Sequence, residues 1–76
     1  MEPATMKLLA VGLAASLGLM GPALAIGLIG YSALQGIARN PEARGPILTN
    51  MILVAGLAEA IGIYVLIVAI LLVFVA

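Results

Sequence analysis

Ala55-Gly56-Leu57-Ala58-Glu59-Ala60-Ile61-Gly62 sits inside a run from Ile47 to Ala76 whose only charge is Glu59. A helix rises about 1.5 Å per residue and the hydrocarbon core of a bilayer is about 30 Å thick, so this run crosses a membrane with Glu59 near mid-depth. An ionised acid at that depth costs roughly 2.5–3.5 kcal/mol on insertion scales. Desolvation penalises only the charged form, so the carboxyl is expected to be neutral in lipid and charged beside a cation. A carboxyl that alternates in this way is an ion carrier in outline. The plainer alternative is a structural acid, hydrogen-bonded and idle.

Composition narrows the class. The chain has 76 residues, 66% of them hydrophobic, and only six are charged. Its mean hydropathy is +1.38. A soluble domain of this size needs a polar surface that this sequence lacks, which points to a membrane protein. With no cysteine and no histidine, disulfides, thiol or imidazole metal sites and Ser/His catalysis are excluded, so no metal, cofactor or catalytic residue is expected. A net charge of zero leaves no nucleic-acid footprint. The charges fall in three places: Glu2 and Lys7; Arg39, Glu42 and Arg44; and Glu59 alone.

A second apolar run, Leu8 to Ala38, is also charge-free and long enough to span. Met6-Lys7, the apolar residues after it and Ala23-Leu24-Ala25 have the shape of a cleavable signal peptide, but the apolar stretch continues past that site. Projected at about 100° per residue, Gly12, Ser16, Ala23, Gly27 and Gly30 form one narrow stripe. Ala14, Gly18, Gly21, Ala25 and Ser32 form another on the opposite side, with Leu13, Leu17, Met20, Leu24, Leu28 and Tyr31 filling a face between them. Small residues let membrane helices approach closely, and two such stripes point to close neighbours on both sides. If each neighbour is another copy, the contact is head-to-tail and closes into a ring. An ordinary glycine-rich bundle helix is the alternative. Pro22 is a candidate kink.

Between the runs, Arg39-Asn40-Pro41-Glu42-Ala43-Arg44-Gly45-Pro46 carries turn punctuation at Asn-Pro and Gly-Pro. The expected fold is therefore all-α, a single two-helix antiparallel transmembrane hairpin over residues 1–76. Helix one covers about 4–39, the polar loop about 40–46 and helix two about 47–75. The positive-inside rule puts Arg39 and Arg44, and so the loop, on the cytoplasmic side with both termini outside. With the turn centred near Glu42–Ala43, Glu59 is level with Ile26, and Leu57 and Ala60 are its neighbours along the helix. Tyr64 is a candidate hydrogen-bond donor to Glu59. It lies about 140° round the helix, so it either serves a neighbouring copy or is a packing tyrosine. No polar path leads from Glu59 to either membrane face, so transport needs a partner that delivers and removes ions and presents a cation. A small structural or pore-forming hairpin is the rival reading, and it requires a polar stripe on each helix.

Three segments together resemble one family: Gly21-Pro22-Ala23-Leu24-Ala25-Ile26-Gly27, Ala38-Arg39-Asn40-Pro41-Glu42, and Gly56-Leu57-Ala58-Glu59-Ala60-Ile61. The chain is similar to the rotor-ring proteolipid, or c-subunit, of F-type ATP synthases over nearly its whole length. The resemblance implies a homo-oligomeric ring in the lipid of an energy-coupling membrane, packed through Gly21, Ala23, Ala25 and Gly27. It implies that Glu59 exchanges a proton with the half-channels of the synthase's a-subunit, whose arginine supplies the cation. It further implies that Arg39, Asn40, Pro41 and Glu42 contact the central stalk. Asn40 stands where the family has glutamine, and alanines at Ala23 and Ala25 replace part of its glycine repeat. In sodium-binding members the inner helix carries a glutamine and hydroxyls follow the glutamate. Here those positions are Ile26, Ala60 and Ile61, which implies a proton.

Overall fold

The computed structural model describes residues 2–75. Helix α1 (Pro3–Arg39) and helix α2 (Arg44–Phe74) are joined by one turn of 3-10 helix at Pro41–Ala43. Pro3 opens α1, where its missing N–H is one that would have no helical partner. The helix continues unbroken through Ala23-Leu24-Ala25 and through Pro22. It stops at Arg39 because Pro41 disfavours helical geometry at Asn40, whose φ is −141° and ψ 81°. The Asn40 amide still donates to the Gly36 carbonyl at 3.0 Å. Ala43 N–H then donates to Asn40 O at 3.0 Å, and the chain has reversed.

Helix α2 starts at Arg44, earlier than the Gly-Pro punctuation predicts. Gly45 and Pro46 lie in its first turn, where a missing N–H breaks no hydrogen bond. The hydroxyl of Thr49 donates to Gly45 O at 3.0 Å and the amide of Asn50 to Pro46 O at 2.9 Å. Thr49 and Asn50 thus each find a hydrogen-bond acceptor within their own helix.

The hairpin measures 58 × 18 × 8 Å, two helices abreast and one helix thick. Its length exceeds the hydrocarbon core of about 30 Å, so both ends reach into or past the headgroups. Among the described residues, those buried between the helices are Pro22, Ala58, Gly62 and Ala69, all small or compact. Among the described residues, no large side chain is fully buried. Leucines, isoleucines and valines are exposed on every outer side of both helices. In water that surface would drive association; in lipid it costs nothing, since acyl chains are as apolar as leucine. The fold is a two-helix membrane hairpin whose seam is made by backbone approach and not by a hydrophobic core.

Candidate functional site: a carboxyl on the flank of the hairpin

The sequence around Glu59 fixes where its side chain points. Ala58 is buried in the seam, and the next residue on a helix is rotated by about 100°. Glu59 therefore leaves the seam sideways and is exposed. Gly62, the next seam position, is also buried; a Cβ there would lie 3.4 Å from Leu19 Cδ2 and 3.9 Å from Pro22 Cβ. Small residues on the seam side of α2 bring Pro22 close to the segment that carries the carboxyl. Burial of Pro22 gives its ring a packing role, beyond the kink that its place in the sequence suggests.

The slab has two flanks, and they differ. One carries an open groove lined by Leu28 and Ser32 of α1 and by Pro46, Asn50 and Val54 of α2, among others. In an antiparallel pair the two helices turn in opposite senses. Projection at about 100° per residue then places Glu59 on the other flank, together with Gly12, Ser16, Ala23 and Gly27. All four of those residues are exposed, and a Cβ at Gly12 or Gly27 would meet nothing within 4 Å. Ser16 turns its hydroxyl inward to the Gly12 carbonyl at 2.6 Å, which leaves this stripe without a free polar group. The second stripe borders the seam on the grooved flank: Ala14, Gly18 and Ala25 are half-buried, while Gly21 and Ser32 are exposed. Helix α2 lies between the two stripes, and small residues line the first helix on both of its free sides.

The facing pairs Gly18–Val65 and Gly36–Ile47 set the register of the hairpin. They bring Glu59 level with Leu24, about 3 Å nearer the N-terminus of α1 than the Ile26 level expected from the turn. Ile26 is half-buried where the seam meets the flank of Glu59. Glu59 lies about 13 Å along the helix axis from Asn50, the last polar side chain of α2 before the apolar run. Leu57 is exposed on the far side of α2 and Ala60 is half-buried. Tyr64 is 70% exposed and points away from Glu59, so the two side chains of one hairpin do not meet. The Glu59 carboxyl makes no hydrogen bond among the described residues. Arg39, Asn40, Pro41, Glu42 and Arg44 lie together at the turn, some 25 Å from Glu59 by helix rise, and all five are exposed.

Residues 9–72 match the sequence profile of the ATP synthase C-subunit family. The chain is 54% identical over 76 residues, all of both chains, to the ATP synthase c-subunit of Dehalococcoides mccartyi. The chain belongs to the ATP synthase c-subunit family. The c-subunits of Petrotoga mobilis (42% identical, 91% of this chain and 72% of that one) and of Geobacter metallireducens (39%, 97% and 81%) agree. The family match takes in both membrane helices, the turn and Glu59 in one stretch. Membership also accounts for a hairpin with no core of its own: it is an integral membrane component of a larger assembly. The pore-forming alternative needs a polar stripe on each helix, whereas Leu, Ile, Val and Met dominate the exposed faces of both helices and the exposed stripe of α1 beside Glu59 is mostly glycine and alanine.

Proposed function

We propose that this hairpin is the proton-carrying rotor subunit of an F-type ATP synthase and that Glu59 is the carrier. The observation that supports this best is its position: the one formally charged residue between Asn50 and Val75 is displayed on a flank at mid-depth, not tucked into the seam. A carboxyl there is neutral while it faces lipid, because desolvation disfavours the anion. It is an anion only where a cation stands opposite, and an arginine of the synthase's a-subunit supplies that cation. Alternation between the two conditions moves one proton per copy. Each charge transferred is worth about 2.3 kcal/mol per 100 mV, so several transfers must accumulate on one rotor to drive a costly synthesis step.

Copies pack head-to-tail, the Glu59 flank of one against the grooved flank of the next, and close into a ring. Gly21, Ala23, Ala25 and Gly27 let the first helices approach on the inside, with the carboxyl-bearing α2 outside. In that arrangement Tyr64 of one copy faces the carboxyl of its neighbour, which resolves the angular separation within one chain. The turn residues Arg39, Asn40, Pro41 and Glu42 meet the central stalk on the cytoplasmic side, and both termini are outside.

Carbodiimide mapping tests the carrier assignment. A hydrophobic carbodiimide reacts with a protonated carboxyl in an apolar setting. Modification is expected at Glu59 alone. Labelling at Glu2 or Glu42, or none at Glu59, contradicts the assignment.

A further inference from the structure

Among the glycines, the facing helix comes closest at Gly18, ahead of Gly36, where an added Cβ would lie 3.2 Å from the flexible end of Ile47. A Cβ added at Gly18 would lie 2.6 Å from Val65 Cγ1 and 3.1 Å from Cγ2. Gly12, Gly21, Gly27 and Gly30 have open space at the same position, and Gly62 only ordinary contact with a flexible leucine. Val65 cannot swing aside, because a β-branched side chain on a helix has one strongly preferred χ1 rotamer. Relief therefore has to come from the backbone of α2, by about 1 Å to reach an ordinary carbon–carbon separation.

We infer that Gly18 is a positioning residue that sets the aim of Glu59 through Val65. Both residues sit at the edge of the seam on the grooved flank, opposite Glu59. Prising that edge apart turns α2 about its own axis, since the force acts off-centre. A shift of about 1 Å at the radius of a side chain is a rotation of about 10°, and it rolls Glu59 towards α1. Without a side chain at Gly18, α2 settles into the rotation that holds the carboxyl out on the flank. This inference rests on the carrier role of Glu59. It assigns to Gly18 a function distinct from copy-to-copy packing.

The test uses mixed rings from co-expressed wild-type and Gly18→Ala hairpins. The variant is one methylene heavier, so mass spectrometry reads the carbodiimide labelling of each kind of hairpin within the same assembly. The expected result is a labelling rate at Glu59 of the variant that differs from wild type by about threefold or more, as misplacement by an ångström at a reacting group implies. Gly18→Ala/Val65→Ala should return to the wild-type rate, and Gly62→Ala should not depart from it. Equal rates for Gly18→Ala and wild type overturn the inference, as does a double variant that is not restored. Exclusion of Gly18→Ala from rings would make Gly18 a folding requirement and also overturns it. If wild-type Glu59 itself does not label, the carrier reading fails instead, so the two failures are distinguishable.

Discussion

Replacing Gly27 with leucine separates the stability of the hairpin from that of the assembly. Within one hairpin a Cβ at Gly27 meets nothing within 4 Å, and the position is exposed. Glycine in a helix interior is about 0.8–1 kcal/mol less favourable than alanine, and leucine is close to alanine, so Gly27→Leu should leave the isolated helix slightly firmer. Between copies the balance reverses. The side chain projects into the flank that meets the next hairpin, and overpacking a close contact costs about 1–3 kcal/mol. A closed ring has one such interface per copy, so for each hairpin a cost of about 1–3 kcal/mol stands against a gain of about 0.8–1 kcal/mol, and the cost prevails. The expected outcome is unchanged helicity and membrane insertion by circular dichroism and extraction. In unboiled, detergent-extracted material, the assembly should be lost or shifted to another mass. A Gly27→Leu assembly of wild-type mass and yield would show that this flank does not meet a neighbour.

Two further outcomes follow from the surroundings of Glu59. At its level on that flank α1 offers Ala23, Ile26 and Gly27 and no side-chain oxygen; Ser16, on the same flank, lies about 12 Å further along the helix. Sodium needs several oxygen ligands to replace its hydration shell, so millimolar sodium should not protect Glu59 from carbodiimide at neutral pH; protection would overturn the proton assignment. Tyr64→Phe should change Glu59 labelling in assembled rings by about 2- to 10-fold, the worth of one hydrogen bond, and have no effect in dispersed monomers. An effect in neither makes Tyr64 a packing residue; an effect in monomers places the contact within one chain.

Much of this hairpin is legible in the sequence because bilayer thickness and charge leave few choices. Two long charge-free runs flanking Asn40-Pro41 dictate two antiparallel helices, and the isolation of Glu59 marks its depth. The start of α2 is harder to place, since Gly45-Pro46 is loop punctuation in one context and an ordinary first helical turn in another. The rotational setting is also out of reach. Periodicity identifies two stripes of small residues on α1 but not that α2 lies between them, because alanine and glycine suit a seam and a copy-to-copy contact equally. That ambiguity hides Gly18 among its stripe neighbours until Val65 is seen against it, and hides Pro22 as the partner of Gly62. The level of Glu59 moves by about two residues for a related reason: the turn closes over Asn40–Ala43 and is tighter than its composition indicates.

The central claim, that Glu59 carries the transported proton, is tested most directly by Glu59→Gln in the assembled synthase. Glutamine keeps the size and neutral polarity of the protonated acid but cannot exchange a proton, so the assembly should form at its normal mass while proton transport and coupled ATP synthesis fall to background. Normal proton-coupled ATP synthesis by a ring made wholly of Glu59→Gln hairpins would contradict the account.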